Sequence, residues 1–394
     1  MSNLLKTQNP HKAIGSQSER KLRVLFVSHA YVVGVNQGKL KAIADAGIEV
    51  ALMAPNNWKA EEWNRTIKLE TPFPEIKTYT APVWFTGKVG AHFYNPWKIR
   101  QAIKDFQPDV IQVEEEIFSL CALEVSFWAK RYSIPMVVFG WENQLRSLSA
   151  FRCWIRDFVM NVTDVYLAGN QDGAEVMRNW NYQGELEVMP QMGVDTELFT
   201  PALKQAQSPV NIGFLGRLAT EKGLDILFTA ASQLKQQNLD FKITICGSGE
   251  EEANLRQTAT EQSISDRLAW RGAVRHEEAP VELGKFDVLV LPSRSVATWK
   301  EQFGHVIIEA MAMGIPVVGS SCGEIPHVIA CPDLVFPEGN PVALAEILKR
   351  IISDRNWREE MGNYGIERVA KYYSHERIAQ RLLELWQKLA PVLE

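Results

Sequence analysis

The sequence predicts an α/β protein made of two Rossmann-like parallel-sheet domains that face each other across a cleft. Three observations carry this expectation. The chain has 394 residues, which is long for one domain and comfortable for two. Short apolar strands alternate with helical segments from Arg23 onward, the pattern of a doubly wound parallel sheet. The same alternation begins afresh at Val210, after a polar stretch from Pro201 to Pro209 that reads as a linker. On this reading 1–20 is a disordered start, 21–200 the first domain, 201–373 the second and 374–394 a terminal helix.

In the first half, Arg23 to Ser28 reads as a buried strand, followed by a loop from His29 to Gly38 and a helix from Lys39 to Ala46. Strands follow at Glu49 to Met53, Val110 to Val113, Met136 to Phe139, Val165 to Ala168 and Glu187 to Met189. Ligands of such sheets sit at the carboxyl ends of the strands. His29, Glu114 to Glu116, Trp141 with Glu142, and Asn170 all fall at such ends. In the second half the strands are Asn211 to Leu215, Lys242 to Cys246, Leu268 to Arg271, Asp287 to Leu291, Val317 with Val318, and Leu334 to Phe336. The last helix, Ser374 to Leu389, has apolar residues at Ile378, Leu382, Leu383, Leu385, Trp386 and Leu389, so one face is expected to be buried.

Composition bounds the function. A formal net charge of −5 gives no sign of a nucleic-acid partner. Five scattered cysteines without a C-x-x-C spacing fit ordinary thiols in a reducing compartment. With no apolar stretch of membrane-spanning length and a polar first twenty residues, the expected location is cytoplasmic. No G-x-G-x-x-G follows the first strand of either half, which argues against a nicotinamide-dependent oxidoreductase.

Two stretches carry chemistry. In Lys300 to Ser320, Glu301 and Glu309 bracket Phe303-Gly304-His305, and Glu309 lies in an apolar helical run. A glycine just ahead of a helix lets a ligand reach free backbone N–H groups, which favour anions such as phosphate. Each carboxylate can accept hydrogen bonds from adjacent hydroxyls of a polyhydroxylated ligand. Phe214 to Gly223 supplies Arg217 and Lys222 at a strand end, between Gly216 and Gly223, as a candidate diphosphate clamp.

The Glu301 to Glu309 spacing resembles the E-x7-E signature of the retaining glycosyltransferases of family 4, which have the GT-B fold. Arg217 and Lys222 match that family's G-R-x4-K pattern. The loop Cys246-Gly247-Ser248-Gly249 resembles the family's loop at the next strand end, its glycines allowing close backbone approach, and Arg271-Gly272-Ala273-Val274 resembles the loop whose backbone reads the base. The motifs cover about 211–326, with fold pattern alone elsewhere. The resemblance implies that the terminal helix crosses back onto the first domain. It also implies that Glu309 holds the ribose, Glu301 the transferred sugar, and the amides of Phe303, Gly304 and His305 the sugar and phosphate. Gly247, Arg271, Ala273 and Val274 would complete the donor site, with Arg217 and Lys222 on the leaving diphosphate. No D-x-D is present, so neither a metal nor another cofactor is expected. The loop at Gly323-Glu324, followed by His327, departs from the family's pattern.

The first half matches more loosely. Gly140-Trp141-Glu142-Asn143 stands where many members have His, and Glu114 where they often have His as well. Either Glu142 or a member of Glu114 to Glu116 orients or deprotonates the acceptor hydroxyl, or these residues form a solvated acidic strand end. His29 is balanced between an acceptor contact and a cap; Trp141 and Asn170 are further acceptor-side candidates. Aromatic residues interleaved with basic ones in Val83 to Phe106 and Leu145 to Met160 suit packed helices, sugar stacking or peripheral contact with an anionic membrane face. The expected activity is transfer of a hexose, UDP-glucose foremost, to a glycan or lipid-linked glycan acceptor of the cell envelope. A narrower resemblance points to cyanobacterial envelope glucosyltransferases, including those of heterocyst polysaccharide. The alternative is a catalytically silent nucleotide-sugar-binding partner of an assembly complex.

Overall fold

Runs such as Val24 to Val27 and Val288 to Leu291 are apolar without alternation because both faces of their strands are covered, as parallel sheets require. The computed structural model describes residues 20–60, 65–201 and 209–390. The expected disordered start, Arg20 apart, and most of the expected linker lie outside these residues.

The first domain carries β1 (Arg23–Val27), β2 (Glu49–Pro55), β3 (Asn57–Ala60), β4 (Arg65–Lys68), β5 (Lys77–Ala81), β6 (Val83–Trp84), β7 (Phe93–Tyr94), β8 (Val110–Glu114), β9 (Met136–Gly140), β10 (Val165–Ala168) and β11 (Glu185–Val188). Seven of these form a parallel sheet in the order β11-β10-β9-β8-β1-β2-β5, while β3–β4 and β6–β7 are antiparallel hairpins. The second domain carries β12 (Val210–Leu215), β13 (Phe241–Cys246), β14 (Leu268–Gly272), β15 (Val288–Leu291), β16 (Val317–Ser320) and β17 (Val335–Phe336), all parallel in the order β14-β13-β12-β15-β16-β17. The two-sheet reading therefore holds. Sequence reasoning missed β5, whose Lys-Thr-Tyr-Thr-Ala run sits at a sheet edge and is largely uncovered. It also set β11 two residues late.

The terminal helix His375–Leu389 starts at Ser374, whose side chain accepts the Arg377 N–H. It does cross back. Ile378, Leu382, Leu385 and Trp386 join the first-domain core, where Trp386 packs edge-on to Phe26 at 5.7 Å and donates Nε1–H to Gln112 Oε1 at 3.1 Å. The two crossings between domains run side by side, with Val194 N–H donating to Tyr373 O at 2.9 Å. Gly193 is dictated by this approach, since a Cβ there would lie 2.6 Å from Tyr373 O.

Candidate active site

The carboxyl ends of β12 and β15 open on a cleft of about 590 Å³ between the domains. Lys222 reaches it from a short turn whose next residue, Gly223, is left-handed (φ 68°); a Cβ there would meet Pro292 O at 2.0 Å. Its Nζ donates to Glu301 Oε2 at 2.6 Å and lies 4.6 Å from the centre of the Trp299 ring, a cation–π contact. Ser293 Oγ donates to the same oxygen at 3.0 Å. Glu301 is thus held at one carboxyl oxygen, and among the described residues its Oε1 has no hydrogen-bond partner. The following loop fixes its main chain, because Glu324 N–H donates to Glu301 O at 3.0 Å and Gly323 (φ 54°) leaves room for that carbonyl.

Gly304 (φ 78°) caps the helix His305–Ala312, and Phe303, Gly304, His305 and Val306 line the cleft around its first turn. N–H groups of a first turn have no partner within their helix. One turn on, Glu309 also lines the cleft; it is half-buried and accepts no hydrogen bond from a described residue, and burial pushes its carboxyl up to about 7. Burial, reinforced by His375 and His276, pushes His305 down to about 4, so its imidazole is neutral at pH 7. A second lobe of about 540 Å³ shares Met192, His276, His305 and Glu309 with the first and is lined on the other side by Gly34, Asn36 and Glu70.

Arg217 and Val274 line the cleft, Arg217 half-exposed and paired with Glu221 at 2.9 Å. Three other donor-side candidates do not line it. Arg271 is taken by Glu282 at 2.8 Å, Ala273 lies off the cleft, and Gly247 serves backbone packing, since a Cβ would meet Gly216 O at 1.9 Å. Sequence reasoning missed Ser293, Trp299, Gln302, Gln191 and His276. Of these only Ser293, two residues beyond β15, carried a positional signal.

On the first-domain side Trp141 lines the cleft; its Nε1–H donates to Gln191 Oε1 at 3.0 Å and its carbonyl accepts from Gln302 Nε2 at 3.0 Å. Asn170 instead caps the helix Gln171–Asn179, accepting the Gly173 N–H at 2.7 Å. Glu142 turns to Arg146 at 2.7 Å and does not line the cleft. The solvated strand end is a correction, because Glu114 and Glu115 are both buried. Glu114 accepts from Tyr31 Oη, Lys39 Nζ, Gln112 Nε2 and Gln191 Nε2 at 2.5–3.0 Å, so its oxygens are already committed. His29 is engaged by Glu115, its Nδ1 2.7 Å from Glu115 Oε1.

Glu116 accepts the Trp141 N–H at 2.8 Å, and burial, with Glu142 and Glu115 nearby, pushes its carboxyl up to about 7 from 4.5. Between these values the folded chain holds a proton that the unfolded chain has lost, so this group costs stability as pH rises through that window. Glu116→Gln should therefore melt like wild type near pH 4.5 and be more stable by about 1–3 kcal/mol at pH 8. Thermal melts at the two pH values check this; a pH-independent difference contradicts it.

Residues 195–368 match the family described as glycosyl transferases group 1. Among curated relatives, the chain is 30% identical over 209 residues to the GDP-mannose-dependent monoacylated alpha-(1-6)-phosphatidylinositol monomannoside mannosyltransferase of Corynebacterium glutamicum, covering 50% of this chain and 54% of that one. It is 35% identical over 164 residues to the amylovoran biosynthesis glycosyltransferase AmsK of Erwinia amylovora, covering 41% and 40%. The chain thus spans about half or less of the length of these relatives. The solved structure of Anabaena Alr3699/HepE in complex with UDP superposes with a TM-score of 0.67 at 17% identity, covering 94% of this chain and 100% of that one. A glycosyltransferase from Rickettsia africae gives 0.70 at 16%, covering 94% and 98%. At these identities the likeness is one of fold, the GT-B arrangement of two facing parallel-sheet domains.

Among the described residues the cleft offers a fixed cation, Lys222, a helix N-terminus and two carboxyls, Glu301 and Glu309, with unpaired oxygens. That set can neutralise a diphosphate at one end and accept hydrogen bonds from hydroxyls at the other.

Proposed function

We propose that this chain is a retaining hexosyltransferase that needs no divalent metal. It moves a hexose, foremost from UDP-glucose, onto a polysaccharide or lipid-linked oligosaccharide precursor of the cell envelope. The observation that carries this reading is the Lys222–Glu301 pair at 2.6 Å beside the first turn of the helix His305–Ala312. Cleavage of the donor's glycosidic bond leaves negative charge on the diphosphate. Lys222 and the open N–H groups, with Arg217 from the rim, would stabilise that charge as it develops. Glu301 would hold hydroxyls of the transferred sugar and Glu309 those of the ribose, as the family resemblance implies. The cation and helix terminus would stand in for a metal at the phosphates. Support for UDP comes from the Anabaena structures, solved with UDP and with UDP-glucose. Support for an envelope glycan comes from the amylovoran relative.

A lipid-linked acceptor is favoured by the first domain's surface. Trp84, Phe85, Trp97, Phe127, Phe151 and Trp154 are exposed there, with an apolar groove of about 580 Å³ lined by Phe93, Phe127, Trp128, Trp154 and Phe158. Exposed Lys88, Lys98, Lys104 and Arg146 belong to the same segments. No described helix is long and apolar enough to cross a membrane. This face would rest peripherally on the anionic inner face of the plasma membrane. The experiment is release of UDP from UDP-glucose with EDTA present, with and without anionic phospholipid vesicles carrying a polyprenyl-linked glycan. Turnover that vesicles accelerate, and that Trp154→Ser slows toward the vesicle-free rate, is the expected result. Nucleotide binding without turnover on any acceptor would favour the silent-partner reading instead.

A further inference from the structure

We propose that His29, His92 and Glu115 form a binding site for a transition-metal dication of the zinc class. The site lies in the first domain and is separate from the donor cleft, whose lining contains none of the three. Their ligand atoms all lie within 4.8 Å of one another. Glu115 Oε1 is 2.7 Å from His29 Nδ1 and 3.3 Å from His92 Nε2. Tetrahedral zinc at about 2.0–2.1 Å from nitrogen and oxygen holds its ligands roughly 3.3 Å apart; the His92–Glu115 contact already has that spacing and the His29–Glu115 contact must open by about half an ångström.

Burial makes the case for an occupant. The side chains of His92 and Glu115 have no solvent exposure, and that of His29 has 20%. Neither ring nitrogen of His92 completes a hydrogen bond, and Glu115 Oε2 is also buried and unpartnered. Such groups each cost about 1–3 kcal/mol if left unsatisfied. One dication would satisfy His92 Nε2 and both oxygens of Glu115 together, with Glu115 Oε2 or a water completing the set beside His29 Nδ1. Two imidazoles and one carboxylate suit zinc, cobalt or nickel better than magnesium or calcium.

The surroundings agree. Glu124 has a buried, unpartnered Oε1 and its carboxyl feels the charge of His92, so it is the candidate to take the His92 Nδ1–H, the outer partner that metal-bound imidazoles usually have. Trp58 closes the group, its ring 4.5 Å from His29 and 4.9 Å from His92. A ligating imidazole nitrogen must be unprotonated, so the ion would bind with His29 Nδ1 and His92 Nε2 free of protons. The ion would tie the loop after β1 and the segment before β7 to the residue after β8, fixing the acceptor side of the first domain.

This inference does not depend on the transferase reading. The test is titration of Co²⁺ into the untagged, metal-stripped full chain, followed by the visible absorption of cobalt and by calorimetry. Expected is one Co²⁺ per chain with nitrogen-ligand absorption, displaced by Zn²⁺, and lost in His92→Ala. Because His92 is buried, His29→Gln, at a partly exposed position, serves as the second variant; it should weaken binding at least tenfold with unchanged circular dichroism. Absence of a stoichiometric site in the wild type, or binding unaffected in folded His29→Gln, would overturn the proposal and leave a buried His–Glu–His ion cluster.

Discussion

Lys222→Ala is expected to lower kcat for hexose transfer by about 10²–10³-fold while changing UDP affinity far less. The ammonium is fixed by Glu301 at 2.6 Å and by the Trp299 ring, so it needs no reorganisation as charge grows on the departing diphosphate. Loss of one such preorganised donor costs about 3–4 kcal/mol at the transition state. The same substitution leaves Glu301, only 7% exposed, with Ser293 as its remaining partner, which loosens the sugar contact as well. Arg217 is half-exposed and already shared with Glu221, so its removal should matter less. Steady-state kinetics with calorimetry separates the effects; an unchanged kcat in Lys222→Ala would remove the lysine from the chemistry.

Glu309→Ala should weaken UDP binding by about 100-fold and abolish the preference for UDP over 2′-deoxy-UDP. A carboxylate accepting from two adjacent hydroxyls makes two charge-assisted bonds, each contributing about 1.5–3 kcal/mol. The carboxyl accepts no hydrogen bond from a described residue and lines both lobes of the cleft, so the ligand finds its oxygens unoccupied. Acceptance requires the ionised form. Because burial raises this group to about 7, wild-type affinity should fall as pH drops below 7, and the mutant should lose that slope. Equal affinities for UDP and 2′-deoxy-UDP in the wild type would assign Glu309 another role.

Much of this was legible in the sequence. Both sheets followed from apolar runs of strand length bounded by turn residues, because strands covered on two faces read as continuous apolar segments. Glu301, Gly304, His305 and Glu309 were found together because a strand end, a glycine and a helix start lie close in sequence, and Lys222, 79 residues earlier, was found at its own strand end. The first domain was less legible. Glu114 looked like an acceptor-side acid because nothing in the sequence shows that Lys39, 75 residues earlier, reaches its carboxyl at 2.5 Å. Arg271 looked like a ligand until Glu282, on the following short helix, claimed its guanidinium. The pairing of His29 and His92 through Glu115 was invisible for the same reason, since long-range pairs between loops leave no periodic trace.

The cleft between the domains is expected to hold a nucleoside diphosphate without a metal at its phosphates. Calorimetric titration of UDP into EDTA-treated wild-type protein tests it most directly. The account predicts a saturable site, with UDP bound more tightly than 2′-deoxy-UDP. No binding of UDP, GDP, ADP or dTDP by the folded protein, or binding that appears only when a divalent cation is restored, would contradict it.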